Sequence, residues 1–279
     1  MASKWENFLK NLGEWQGSFT SVSTEGELLD STSSILNLEG LENNQLVRFR
    51  LRRFGSGGDN QPPLLDYMQE YRSLGKEIIF FETGAFSKGS LQLAPFTEFG
   101  AEYGFVAENR RLRFVQLYDS QGALIRLTLI REFKSGTDAR ERPQLTLKQL
   151  LGRWEGTACT AYSDLRPSET YATSLEVKDI GGGQLQQQLS FGDRTITTTA
   201  RIERFNILHF EEGSYTRKIL LLPDGTSSNT PLHLNLRQPF FVEVGWLAAD
   251  NERQRLIRSY NDKGEWSSAT HVIERRVEA

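Results

Sequence analysis

Apolar and polar residues alternate with a period of two through most of the chain. Val47, Phe49 and Leu51 alternate with Arg48, Arg50 and Arg52, which predicts a strand with one buried and one wet face. Leu232, Leu234 and Leu236 alternate with His233, Asn235 and Arg237 in the same way. Residues 195–202 are β-branched and strand-like. By these criteria strands are predicted at 15–23, 32–38, 46–52, 64–73, 77–83, 86–94, 98–106, 111–118 and 123–133. The second half adds 154–162, 169–178, 183–191, 195–202, 205–210, 214–222, 232–237, 239–247, 254–260 and 265–277. Gly55-Ser56-Gly57-Gly58-Asp59-Asn60, Gly181-Gly182-Gly183, Pro223-Asp224-Gly225 and Asp262-Lys263-Gly264 supply the turns between them. Helix is predicted only at 3–12 and 146–151, each just ahead of a Gly-x-Trp, with Ser3, Asn7 or Thr146 available as caps.

The chain also resembles itself. Phe8-Leu9-Lys10-Asn11-Leu12-Gly13-Glu14-Trp15-Gln16-Gly17 returns as Leu147-Lys148-Gln149-Leu150-Leu151-Gly152-Arg153-Trp154-Glu155-Gly156, with Leu, Gly, Trp and Gly in the same order. Ile78-Ile79-Phe80-Phe81-Glu82-Thr83-Gly84 pairs with Ile207-Leu208-His209-Phe210-Glu211-Glu212-Gly213. A third match sets Arg113 and Tyr118-Asp119-Ser120-Gln121-Gly122 against Arg255 and Tyr260-Asn261-Asp262-Lys263-Gly264. The expectation is two homologous domains at 1–135 and 145–279, joined by a charged, Gly- and Pro-containing linker at 136–144. Many short antiparallel strands, about eight per half, favour a closed barrel, which also leaves no unpaired edges.

Composition adds mostly exclusions. With 33 basic and 36 acidic residues the net charge is −3, so nothing points to a polyphosphate partner. No apolar run reaches the roughly 18 residues of a membrane span, and Met1-Ala2-Ser3-Lys4-Trp5-Glu6 has no apolar signal region, so a cytoplasmic protein is expected. The single cysteine, Cys159, precludes an intramolecular disulfide and a multi-thiolate metal site.

The short helix followed by Gly13-Glu14-Trp15, and again by Gly152-Arg153-Trp154, resembles the entry signature of the lipocalin or calycin superfamily. Over nearly its full length the chain resembles an uncharacterised cyanobacterial group with two lipocalin-like domains in tandem. Residues 215–223, Phe240-Phe241-Val242-Glu243-Val244-Gly245-Trp246 and Arg255-Leu256-Ile257-Arg258-Ser259-Tyr260 share in that likeness. The resemblance implies an all-β fold of two tandem lipocalin-like antiparallel β-barrels, each preceded by a short helix. It also implies an arginine of the last strand packed across each tryptophan, for which Arg131 in the first half and Arg275 or Arg276 in the second are available.

Several residues invite chemistry. Trp15 and Trp154 suit ligand stacking, but an indole closing the barrel end with its N–H on a backbone carbonyl accounts for them better. His209, His233 and His271 lack the close spacing of a metal site, and no metal or cofactor is expected. Cys159 has no partner in sequence to activate its thiol. No nucleophile elbow, P-loop or dinucleotide fingerprint occurs, and Gly181-Gly182-Gly183 reads as a turn. Arg48, Arg50, Arg52 and Arg53 read as a solvated face or a charge-protected edge rather than a nucleic-acid contact. His233, Asn235 and Arg237 form a polar row that either faces solvent or, with Tyr215, Glu243, Arg255 and Tyr260, lines a cavity. Arg255 and Arg258, three apart, face opposite sides of a strand.

The leading expectation is a module that binds a small hydrophobic or pigment-like molecule (isoprenoid, fatty acyl or bilin) in a barrel, with the second domain favoured. An enzyme of calycin type (cyclase, hydratase or chromophore lyase), using Glu243, His233, Tyr215 and Arg255, is the alternative. A third reading is an interaction protein with filled barrels.

Overall fold

A computed structural model describes residues 3–55, 58–204, 206–212 and 215–277. Ser56 and Gly57 of a predicted turn, Phe205 and Ser214 at the starts of two predicted strands, Gly213 of the repeat match and the side chain of Tyr215 lie outside the described residues.

The chain is nearly all strand. The first helix, α1 (Lys4–Leu9), is followed by β1 (Gly13–Val22), β2 (Leu28–Leu41), β3 (Leu46–Arg53), β4 (Leu65–Tyr71), β5 (Ile78–Phe80), β6 (Phe86–Gly89), β7 (Phe99–Ala107), β8 (Arg110–Tyr118) and β9 (Leu124–Lys134). The second series is α2 (Leu147–Leu150), β10 (Gly152–Tyr162), β11 (Glu169–Gly181), β12 (Gln184–Phe191), β13 (Arg194–Arg204), β14 (Ile207–Glu212), β15 (Tyr215–Leu222), β16 (Thr226–Pro231), β17 (Phe240–Ala249), β18 (Glu252–Tyr260) and β19 (Trp266–Val277). Ser3 caps α1: its hydroxyl accepts from the Glu6 backbone N–H, and the Glu6 carboxylate accepts from the Ser3 N–H.

The second series closes into a ten-stranded antiparallel barrel, β10 to β19 in chain order. The first curls into a nine-stranded sheet ordered β4-β3-β2-β1-β9-β8-β7-β6-β5, whose two ends do not pair. The expected tandem barrels are therefore present, with nine and ten strands rather than eight. The chain divides into two compact units. One gathers the described residues up to Gly89 with Ala101–Gln116 and Arg126–Glu141; the other gathers Ser90–Gly100, Leu117–Ile125 and the residues from Arg142 onward.

The repeated Gly-x-Trp-x-Gly fixes how each barrel begins. Gly13 and Gly152 adopt φ of 132° and 108°, which a side chain tolerates poorly. Trp15 and Trp154 are buried, and each indole N–H donates to a carbonyl of the preceding helical segment, Asn11 at 2.9 Å and Leu150 at 3.0 Å. Both tryptophans therefore act as end plugs and not as stacking platforms. The second glycine lets the first and last strands pack closely. A Cβ on Gly17 would stand 2.0 Å from the Arg131 carbonyl oxygen, and one on Gly156 2.2 Å from that of Ile273. Gly156→Ala should accordingly cost about 2 kcal/mol of stability, read as a lower urea midpoint at unchanged slope.

The arginine across the tryptophan is Arg276 in the second half. Its guanidinium lies 4.5 Å from the Trp154 ring centroid and donates to the carbonyls of Leu151 and Gln149. Arg275 points away to Glu252. In the first half Lys134 takes that place, 6.0 Å from the Trp15 ring. Arg131 does not: it sits opposite Ser18 in the register and bonds Thr20, Ser18 and Glu141.

Two predicted elements are corrected. Residues 232–237 are not a barrel strand, because their backbone pairs elsewhere: Leu234 N–H donates to the Gly122 carbonyl and Leu124 N–H to that of Leu232. The barrel strand is instead β16, whose small buried Thr226, Ser228 and Thr230 alternate inward in a stretch with no apolar period. The second repeat match also shifts. Ile78 and Gly84 correspond by sheet order to Ile219 and Gly225 in β15 and its turn, not to residues of β14, so Phe80 matches Leu221 rather than His209.

Candidate functional site

The first unit holds a half-open cavity of about 300 Å³. Its floor is Phe8, which α1 delivers between Tyr71 of β4 and Phe80 of β5 at ring-centroid distances of 5.9 and 5.0 Å. Phe49 of β3, with Tyr67 and Tyr71, forms one aromatic wall, and Phe80 with Phe86 forms another. Phe86 lies over Gly104, where a Cβ would come within 2.0 Å of its ring. The hydroxyls of Tyr67 and Tyr71 both donate to Gln69 Oε1, at 2.7 and 3.1 Å. The site thus sets aromatic and aliphatic walls beside a group of polar side chains, among them Lys88, Glu102, Arg111 and Arg113.

Those polar groups are charged and organised. Glu132 of β9 is completely buried and bridges two arginines of β8: Arg111 donates to it at 2.8 Å and Arg113 at 2.7 and 3.1 Å. Arg113 also donates to Glu102 of β7 at 3.0 Å, and Arg111 to the Asn11 side chain at 3.0 Å. Burial alone would raise the Glu132 carboxyl, but the two guanidinium groups outweigh it and hold its pKa below the usual carboxylate value. Burial pulls Arg111 down to about 10, which leaves it charged at neutral pH. Lys88 of β6 stands opposite Glu102 in the strand register, and both line the cavity with Arg111 and Arg113.

The second barrel repeats the network. Glu274 of β19 is buried between Arg253 and Arg255 of β18, and Arg255 donates on to Glu243 of β17 at 3.3 Å. Its carboxyl too lies below the usual value, the two arginines outweighing burial. Glu274, Arg253, Arg255 and Glu243 correspond in order to Glu132, Arg111, Arg113 and Glu102. One position differs. Where the first barrel has Lys88, the second has Asn229, which donates to Glu243 at 3.1 Å. At this one place the first cluster therefore carries a cation where the second carries an uncharged amide.

The residues singled out in the sequence scatter. Glu243 and Arg255 meet in the network just described. His233, Asn235 and Arg237 are exposed on the loop after β16, with His233 Nδ1 3.1 Å from Asn235 Oδ1, so the polar row faces solvent. Tyr260 is buried on the opposite face from Arg255. Its hydroxyl donates to the Ser90 carbonyl at 2.8 Å and accepts from Arg258 at 2.7 Å, and burial pushes its pKa up to about 12. Arg258 is also fully buried, stacked 4.3 Å from the Trp266 ring, so Arg255 and Arg258 do occupy opposite faces, neither of them wet. Two arginines of the β3 stripe are paired with acids of β4, Arg50 with Asp66 and Arg48 with Glu70, while Arg53 donates to the Thr32 hydroxyl of β2. Cys159 is half-buried. Among the described residues no three His, Cys, Asp or Glu side chains gather as a metal site, and no helix is long and apolar enough to cross a membrane.

A protein of unknown function from the DUF3598 family of Nostoc punctiforme PCC 73102, solved by crystallography, is 53% identical, aligning 99% of this chain and 100% of that one at a TM-score of 0.92. The chain belongs to the DUF3598 family. The N-terminal model of DUF3598, a domain of unknown function, matches residues 1–137. Residues 141–277 of this DUF3598 chain match the model described as biogenesis factor required for ATP synthase 1, C-terminal domain. A more remote likeness is to the S-type phycobiliprotein lyase CPES from Guillardia theta, with 12% identity over 47% of this chain and 90% of that one at a TM-score of 0.37. That distance transfers nothing about activity. No curated protein matches the chain.

Proposed function

We propose that the protein binds a compact, largely apolar small molecule with an acidic or carbonyl head in the cavity of its first barrel. The observation that carries this reading is the uneven duplication of the charged network. The first barrel adds Lys88 to two arginines and two carboxylates beside an aromatic cavity, whereas the second has Asn229 at that place. A cation beside aromatic and aliphatic walls favours an anionic or hydrogen-bond-accepting head. The volume lies at the low end of the ~300–1,000 Å³ typical of such sites, which suits a short acyl or isoprenoid body. Catalysis has less support, because Glu132 is held ionised by two arginines and is not free to exchange a proton.

The test is native mass spectrometry of the full chain titrated with decanoate. One-to-one binding is expected, weakened about tenfold in Lys88→Gln and lost in the cavity-filling Leu51→Trp. Equal binding by parent and Leu51→Trp, or none by the parent to any acyl or isoprenoid acid, would sink the reading.

A second reading concerns the C-terminal barrel. Its match to a model described by ATP synthase biogenesis, and an interior filled by Trp154, Leu175, Leu185, Phe210, Leu221 and their neighbours, support a protein-binding scaffold acting in assembly of a complex.

A further inference from the structure

The two repeats correspond strand for strand except at one place. Counted outward from β1 and from β10, the sheets match through β4 and β13 on one side and through β5 and β15 on the other. The cross-strand pair Lys88–Glu102 matches Asn229–Glu243 in register, 141 residues on. Only β14 is left over. In the second barrel it pairs with β13 on one flank and β15 on the other. In the first, β4 and β5 are joined by residues 72–77 alone and remain the two edges of the sheet.

The edge that β4 presents lacks the usual protections. It runs in continuous register over seven residues with no bulge and no proline. Its charges, Asp66 and Glu70, are neutralised by Arg50 and Arg48. Leu65, Tyr67 and Met68 are 42, 46 and 60% exposed. A flat edge with unpaired backbone groups and exposed apolar side chains is a template for another strand. Tyr67 and Tyr71 on one edge and Ile78 and Phe80 on the other line the same cavity. The sister barrel shows the kind of strand that fills such a place: β14 turns Leu208 and Phe210, at alternate positions, into the core.

We propose that the first barrel receives an extended strand from another polypeptide along the β4 edge. This guest pairs antiparallel to β4 and carries apolar side chains at alternate positions that enter the cavity, while the β5 edge is held by the chain itself, the Asn7 side chain donating to the Phe80 carbonyl at 3.2 Å and the Ile78 N–H to that of Gly75. The inference stands on the missing strand and not on the small-molecule reading; guest side chains and a small ligand compete for one cavity.

The test grafts a copy of residues 206–212, flanked by short Gly-Ser linkers, between Ser73 and Leu74 of the full chain. Tethering supplies the guest at an effective concentration of about millimolar. Hydrogen exchange of the β4 amides should slow at least tenfold relative to the parent, and should not slow when Leu208→Pro and Phe210→Pro are made in the grafted copy alone. The free 206–212 peptide, added at millimolar concentration to the parent, should protect the same amides, which covers the case in which the graft fails to fold. Parent-like exchange of β4 both in a folded graft and with the free peptide would overturn the proposal. So would concentration-dependent dimerisation of the parent that itself protects β4, since the occupant is then a second copy.

Discussion

Replacing Glu132 or Glu274 by glutamine should lower the free energy of unfolding by about 3–5 kcal/mol, the cost of stranding buried charge. Each carboxylate is at most 1% exposed and accepts from two arginines that are themselves buried. Glutamine keeps the shape but offers one carbonyl oxygen, and its amide presents donors toward guanidinium groups that already donate. The loss depends on pH in a definite sense. Both carboxyls sit below their ordinary pKa in the folded chain, so their contribution is complete above the unfolded value of about 4.3 and is lost as pH falls through the folded value. Parent and variant should therefore differ by a constant amount from pH 5 to 8 and converge in more acid solution. Removing the first cluster together, with Arg111→Met, Arg113→Met and Glu132→Leu, should recover most of the loss. Urea unfolding at several pH values reads all three results; a single Glu→Gln change costing under 1 kcal/mol would show that the networks are not desolvated as described.

These networks were hidden from a reading by alternation because it assigns the charged face of a strand to water. In β8 both faces are covered: Leu112 and Phe114 are buried on one side, Arg111 and Arg113 on the other. The signal that was present is repetition. Arg111, Arg113 and Glu132 recur as Arg253, Arg255 and Glu274, each 142 residues later, and only the middle pair entered the repeat match. Charges retained at equivalent inward places of two barrels have a shared structural cause that solvated charges do not need.

Strands, turns and both helical entries were legible because period-two patterning and Gly-x-Trp-x-Gly are local. The cavity was not, since it arises from one strand present in the second repeat and missing from the first. Residues 72–77 leave too little chain for it, yet the motif Ile-x-x-Phe-Glu-x-Gly attracted the alignment of Ile78 to Ile207 and disguised the gap. Its offset of 129, against 139 and 142 elsewhere, is the trace the missing strand leaves in the sequence. The polar row failed for the complementary reason. Leu232, Leu234 and Leu236 alternate as a strand does, but their backbone partners belong to another loop, and Leu236 is 48% exposed.

His271 gives the chain a second and separate acid sensitivity. It lies on β19, 4% exposed, with Nε2 3.0 Å from Gln254 Oε1, the geometry of an Nε2–H donor. Burial pushes its pKa down to about 3, because charging the ring there forfeits its hydration. Below pH 6.5 the unfolded chain takes up a proton that the folded chain refuses, so stability falls with decreasing pH until the folded value near 3 is reached. At 1.36 kcal/mol for each pH unit the loss approaches about 3 kcal/mol at pH 4. It begins near pH 6.5, some two units before the buried carboxylates start to protonate. The window between pH 6 and 5 therefore isolates the histidine: His271→Gln should flatten the dependence of stability on pH there while leaving the steeper decline below pH 4.5. A slope between pH 6 and 5 that is the same in parent and variant would mean that the folded barrel accepts the proton at His271, and that the ring is not shut away from water as the fold describes.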